Sequence, residues 1–333
     1  MATTTPSHLG IDISKETFDA VLVQEGHSTS FQASNNRIGH EKLSKWLKKH
    51  ARGVVHVCLE ATGRYGDELA AFLHQENFTV SVVNPRRIAA YAASQLRRNK
   101  TDRLDAAVIA DFCRTQNPVP WQPPPPTVRD LQMMTRHLEA LLDMRTEERN
   151  RLQSGVTAPV VVAAIEQHIT FLDTQIADLE RQIAGHLDQH PDLKQQRDLL
   201  VSIPGIGDTT AAKLIAEIKD IDRFEDATQL AAYAGLCPSR RNSGTSVRHK
   251  PKLSKIGNAV LRKALYFPAM SAKSHNPIVR DFCQRLTDHN KPKMVVIAAA
   301  MRKLLHIVFG VLKHRKPFDP HCLKPVVQAP AAT

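Results

Sequence analysis

The chain has 333 residues, of which 42% are hydrophobic and only 5% aromatic, and it carries a formal net charge of +12. That length and hydrophobic content suit two or three globular domains with their own cores, while so few aromatics argue against an extended base-stacking platform for single strands. The charge is concentrated, because residues 240–316 hold 18 Lys or Arg against Asp281 and Asp288, an excess of +16, and the rest of the chain carries about −4.

An excess of that size repels itself unless a polyanion neutralises it, so nucleic acid is the expected partner and an anionic membrane surface the weaker one. Five cysteines (58, 113, 237, 283 and 322) are scattered with no CxxC pair and no close Cys/His cluster. They read as buried thiols in a reducing cytoplasm. The N-terminus lacks a basic region followed by an apolar run, and the apolar stretches fall well short of ~20 residues. Neither a signal peptide nor a membrane span is expected.

In chain order, residues 8–24 read as two short strands with a tight turn, and 28–34 as a third. A helix over 40–50 places Leu43, Trp46 and Leu47 on one face, and VVHVCLEA (54–61) reads as a strand covered on both faces. GDELAAFLHQEN is the next helix and FTVSVVNP the next strand, ended by Pro85. A basic stretch then runs to Lys100, before a helix beginning at Thr101. Three leading antiparallel strands followed by helix, strand, helix, strand predict an α/β domain of RNase H-like order over residues 1–117.

The segment NPVPWQPPPPT (117–127) has six prolines in eleven residues and reads as a semi-rigid spacer, with 118–127 the domain boundary. Residues 128–195 form a helical region. Leu131, Met134, Leu138, Leu141 and Met144 follow helical spacing, and Ile165, Ile169, Leu172, Ile176, Leu179 and Ile183 alternate by four and three, a coiled-coil seam. An intramolecular hairpin and a dimerisation arm both fit that pattern. A mainly α domain follows over 196–318, with IPGIG (203–207) between two helices, and 319–333 is a tail.

Four acids stand out. Asp12 sits in the apolar first strand, expected at its middle, where a carboxylate is costly unless paired or bound to metal. Glu60 ends the fourth strand, and strand ends are where α/β sites are built. Asp102 and Asp105, spaced i, i+3, share one helix face in the first turn. Helix capping accounts for the last pair, and a surface acid for Glu60. The four together suit Mg²⁺, with Mn²⁺ as its substitute, since hard oxygen ligands can hold ions that activate an attacking oxygen.

The order GIDISK, CLEATG, VVNP and NKTDRLDA resembles the RuvC-like domain of IS110-family transposases. The resemblance implies that Asp12, Glu60, Asp102 and Asp105 are its acidic tetrad. Downstream, AAYAGLCPSRRNSGTSVRHKPKLSKIGNAVLRKALY resembles the family's C-terminal transposase domain. On that match the nucleophilic serine maps to Ser243, before Gly244; read from the residues alone, Ser243 is a turn residue. The IPGIG turn resembles a helix-hairpin-helix, whose Gly205 and Gly207 would let backbone N–H groups reach phosphate, although a structural turn explains it too. Arg240, Arg241, Arg248, Lys250, Lys252 and Lys255 are candidate nucleic-acid contacts, the arginines as charge stabilisers.

The resemblance further implies a cytoplasmic, nucleoid-associated recombinase of an insertion sequence. It would form a transient 5′-phosphoserine link to donor and target DNA, be guided by a structured RNA from the element's ends, and work as dimers pairing into a tetramer. Its acidic and serine halves would come from different subunits. A water-using, RuvC-like structure-specific endonuclease, a DNA-inverting recombinase of the same family and a non-catalytic nucleic-acid-binding protein are the other readings.

Overall fold

A computed structural model describes residues 6–61, 64–95, 102–239, 242–243, 247–248 and 252–321, with the backbone alone for 64, 102–104, 239, 242–243, 247–248 and 252. The chain divides into two compact units, Met1–Pro123 and Pro124–Thr333.

The first unit is built on a five-stranded sheet of order β3-β2-β1-β4-β5. Its strands are β1 (Ser7–Ile13), β2 (Thr17–Gln24), β3 (His27–Ser34), β4 (Val55–Glu60) and β5 (Thr79–Val83). β1, β2 and β3 pair antiparallel, while β1 with β4 and β4 with β5 pair parallel. Alternation sorts their residues onto two covered faces. Leu9, Ile11, Phe18, Leu22, Val57 and Leu59 pack with Leu43 and Leu47 of α1 (Arg37–His50) and with Leu69 and Leu73 of α2 (Arg64–Gln75). On the opposite face Cys58 and Val83 meet Ile88 of α3 (Pro85–Ser94) and Ile109, Phe112 and Cys113 of α4 (Asp102–Gln116).

Two expectations change here. α1 starts three residues before residue 40, because the Asn36 side chain caps it by accepting from the Gly39 N–H at 3.0 Å. The basic stretch after Pro85 contains α3: Asn84 caps it, Pro85 takes its first position, and Ile88, Tyr91 and Ala92 turn an apolar stripe toward α4. The density of arginines hid that stripe. Part of the proline-rich segment lies along β5, where the Ser81 hydroxyl donates to the Pro118 carbonyl at 2.9 Å and the Trp121 N–H donates to the Val80 carbonyl at 2.6 Å.

The second unit opens with α5 (Pro126–Gln153) and α6 (Pro159–Gln189). They run antiparallel, since Thr127 bonds to His186, Arg145 to Asp173 and Glu148 to His168. The four-three seam therefore closes within the chain: Leu172, Ile176, Ile183 and Leu187 bury against a core that includes Leu131, Leu138 and Leu141. The outer face keeps Phe171 58% exposed.

The base of this hairpin shares one core with α7 (Pro191–Val201), α8 (Asp208–Ile218), α9 (Ala227–Tyr233), α10 (Ala259–Ala264), α11 (Tyr266–His275), α12 (Pro277–Asp288) and α13 (Lys293–His314). α13 is long and apolar enough to cross a membrane by length and composition, contrary to the expectation that no stretch approaches that. It instead buries Val296, Ala300, Leu304, Leu305, Val308 and Leu312 in the core. Between α9 and α10 the described residues pair antiparallel, β6 (Pro238–Ser239) with β9 (Lys252–Leu253), and β7 (Asn242–Ser243) with β8 (Val247–Arg248).

Candidate active site

The sheet puts two of the four predicted acids, Asp12 and Glu60, on the face that α4 covers. Asp12 is the sixth of seven residues in β1 rather than its middle, and it is half-buried where the strand runs out. Gly10, two residues earlier and so on the same face, lies directly under α4: a Cβ there would stand 2.1 Å from the Ala110 nitrogen and 2.2 Å from the Ala106 oxygen. Only glycine allows a helix that close. In β4, Cys58 faces α4, and Glu60, two residues on, ends the strand on the same side.

α4 runs antiparallel to β1 and β4, because Cys113 reaches the His56 carbonyl near the start of β4 while Ala106 lies over Gly10. Four residues of helix before Ala106 span about 6 Å, and two residues of strand beyond Gly10 span about 7 Å. The first turn of α4, with Asp102 and Asp105, therefore comes level with Asp12 and Glu60. The side chain of Asp102 lies outside the described residues.

Asp19, missed by sequence reasoning, pairs directly across from Asp12 in the β1–β2 ladder and so shares its face. Its carboxylate accepts from Gln32 Nε2 at 3.2 Å. The signal was present, since Asp19 interrupts an apolar strand as Asp12 does. Opposed carboxylates repel. Among the described residues, no three His, Cys, Asp or Glu are grouped so as to hold one metal ion.

Ser243 belongs to β7 and pairs with Val247, so its backbone sits in a ladder rather than a free turn. Its side chain, and those of Arg248 and Lys252, lie outside the described residues, as do Arg240, Arg241 and Lys250 altogether. Lys255 is exposed, and its N–H donates to the Gly235 carbonyl at 3.2 Å.

Among the described residues of the second unit is a buried acid that sequence reasoning overlooked. Glu217, in the apolar run LIAEI of α8, is 1% exposed. Arg136 of α5 grips it with a fork, Nε at 2.8 Å and Nη2 at 3.1 Å, and Asn258 Nδ2 donates to it at 2.7 Å. Burial pushes its carboxyl upward, but the Arg136 and Asn258 bonds outweigh that and hold it below the usual glutamate range. Beside it, Glu139 of α5 pairs with Lys213 at 2.5 Å and Lys263 at 2.9 Å.

In the 203–207 turn Gly205 has φ +104°, and a Cβ there would lie 2.8–2.9 Å from Ala272, so this glycine serves packing against α11. Gly207 is exposed at the N-cap of α8 without a side-chain cap. Asp208 occupies the first turn of that helix, with Arg197 Nε 3.8 Å away.

Comparison with known proteins gives these parts their context. Residues 9–158 match an IS110-type DEDD family described as "Transposase", and residues 197–284 match the "Transposase IS116/IS110/IS902 family". The chain is 33% identical over 316 residues to the pilin gene-inverting protein of Moraxella bovis, covering 94% of this chain and 98% of that one. It is 25% identical over 298 residues to the transposase for insertion sequence element IS1111A of Coxiella burnetii, covering 80% and 78%. Matches that take in the acidic corner and the serine ladders in turn, with a full-length relative above 30% identity, show that the chain belongs to the IS110 family of transposases, enzymes that cut and rejoin DNA.

Proposed function

We propose that the chain is a Mg²⁺-dependent serine recombinase of an insertion sequence, in which Asp12, Glu60, Asp102 and Asp105 form the acidic site and Ser243 is the nucleophile. The observation that carries this reading is the convergence of the ends of β1 and β4 with the first turn of α4. The 3-2-1-4-5 strand order, antiparallel first and parallel after, supports an RNase H/RuvC-like fold for the first unit.

Mg²⁺ held by these carboxylates supplies positive charge to offset the charge that develops on phosphate oxygens. The Ser243 oxygen attacks phosphorus as its proton leaves to water, forming an Oγ–P bond. The P–O3′ bond breaks and the O3′ takes a proton, leaving a 5′-phosphoserine and a free 3′-hydroxyl. Rejoining reverses these steps with a 3′-hydroxyl of the other strand, so the bond energy is kept and no nucleotide cofactor is consumed. Arg240, Arg241 and Arg248 fit the role of charge stabilisers.

The +16 segment suits a protein that reads backbone while a structured RNA from the element's ends chooses sequence. Gly205, Gly207, Lys250, Lys252 and Lys255 would add contacts from a helix-hairpin-helix-like turn and the ladder strands. The working unit is a dimer that pairs into a tetramer. A second reading, a DNA-inverting recombinase, is favoured by the full-length similarity to a pilin gene-inverting protein; mapping the products of recombination between element ends in direct and inverted order separates the two.

The test of mechanism uses purified chain, RNA transcribed from the element's ends, and 3′-labelled donor and target duplexes in Mg²⁺, because the strand that a 5′-phosphoserine link holds keeps its 3′ end. A protein-linked strand on a denaturing gel is expected for the wild type and not for Ser243→Ala or Asp102→Asn. Cleavage that persists in Ser243→Ala without an adduct would mean a water-using endonuclease instead.

A further inference from the structure

Ser243 sits on an antiparallel hairpin whose described pairs join Asn242–Ser243 to Val247–Arg248 and Pro238–Ser239 to Lys252–Leu253. A two-stranded hairpin is marginal on its own. Its root is firmly held, because the returning strand is pinned to the end of α9. Ser254 N–H donates to the Cys237 carbonyl at 2.9 Å, and Asn258 N–H to the Tyr233 carbonyl at 2.7 Å. Gly257, at φ +142°, is pressed so close that a Cβ would stand 2.3 Å from the Tyr233 oxygen.

Asn258 closes this root with both ends of its amide. Its Oδ1 accepts from Leu261 N–H at 3.0 Å and caps α10, while its Nδ2 donates to Glu217 at 2.7 Å. The Tyr233 hydroxyl donates to the Glu217 main-chain carbonyl at 3.3 Å. A buried carboxylate with both oxygens engaged is a fixed point, and the Arg136 fork ties that point to the arm helix α5. These bonds leave Glu217 no free oxygen to take a proton from substrate, so its role is mechanical.

We infer that Asn258, anchored by the Arg136–Glu217 pair, is a positioning residue for Ser243: it fixes the strand returning from the serine to α8 and, through Arg136, to the α5–α6 arm. The inference rests on Ser243 being the nucleophile. It assigns a purpose to the buried acid and to the glycine–asparagine pair at 257–258. Small displacements of a reacting group cost about 100-fold in rate, so a nucleophile carried on a two-stranded hairpin needs such a brace at its root.

The test measures adduct formation by the full-length chain at saturating protein, together with DNA affinity and the thermal midpoint. Asn258→Asp keeps the cap but sets a carboxylate against Glu217; the rate is expected to fall about 10- to 100-fold while DNA affinity stays unchanged. Combining it with Glu217→Gln exchanges donor and acceptor at constant total charge and is expected to recover most of the rate. Asn258→Ser, which also caps α10, serves where the Asp variant does not fold, with the same loss expected.

Adduct formation by Asn258→Ser at the wild-type rate would overturn the positioning role. So would a rate that falls only in step with DNA affinity or folded fraction. Ser243→Ala, run alongside, separates the two claims: a wild-type adduct that survives it removes the nucleophile assignment and this inference together.

Discussion

The acidic corner and the serine ladders, the two halves of the proposed site, are held in place by different means. The corner is held by backbone. β1 is paired on both sides, β4 likewise, and α4 lies directly on Gly10, so the carboxylates inherit the stiffness of a central sheet. Among the described residues the serine strands pair with one another and join no larger sheet, and their root is held by main-chain bonds to Cys237 and Tyr233 together with the side chains of Asn258, Glu217 and Arg136. A site built on a sheet end needs close approach, whereas one built on a small hairpin needs a bonded brace. The two should therefore fail in different ways.

Replacing Gly10 with Val tests the first mode and carries the largest expected effect. Its side chain would collide with the backbone of α4, which cannot yield as a side-chain tip can, so the first unit should lose at least about 3 kcal/mol. The measurement is convenient, because Trp46 and Trp121 are the two tryptophans of the chain and both belong to that unit. Denaturant unfolding followed by tryptophan fluorescence should shift strongly. An unshifted curve would show that α4 does not depend on this contact.

Arg136→Ala tests the second mode. It leaves Glu217 buried and charged, which should cost the second unit about 3 kcal/mol, the low end for a broken buried pair because Arg136 is itself 47% exposed. The loss should appear in the helical circular dichroism transition while the tryptophan transition stays in place. Movement of both transitions together would break the comparison, since the units would then not unfold separately.

Acid is the mildest probe. Burial raises Glu217 and Glu139, but ion pairs and hydrogen bonds outweigh it and depress both carboxyls in the folded chain. Their contribution is thus fully present above the unfolded glutamate range, about pH 4.3, and is lost as pH falls through the lower folded values. Stability of the second unit should decline across that window, and Glu217→Gln should flatten part of the decline in circular dichroism melts taken at successive pH values.

Much of this was legible in the residues because local patterns carry it. The first three strands, β4, β5 and the helices over 66–77 and 101 onward follow from period-two and period-3.6 apolarity, and the seam of α6 follows from its four-three spacing. α3 was not legible, because its apolar stripe is three residues among arginines and gains meaning only against α4. Asp12 was recognised as exceptional, but its place at the strand end was not, since a strand's last pairing depends on where its neighbours stop. Asp19 and Glu217 escaped because each looks like a single polar break in an apolar element.

The sequence by itself therefore determined the segregation of charge, the α/β-then-helical order, and the identities and spacing of the acids. Those properties depend on neighbours a few residues apart. The tertiary structure alone decided that Asp12 faces α4 beside Asp19, that Gly10 exists for helix contact, and that Glu217 meets Arg136, 81 residues earlier, and Asn258, 41 residues later. Contacts across such separations are set by how elements pack, and packing leaves no periodic trace in the chain.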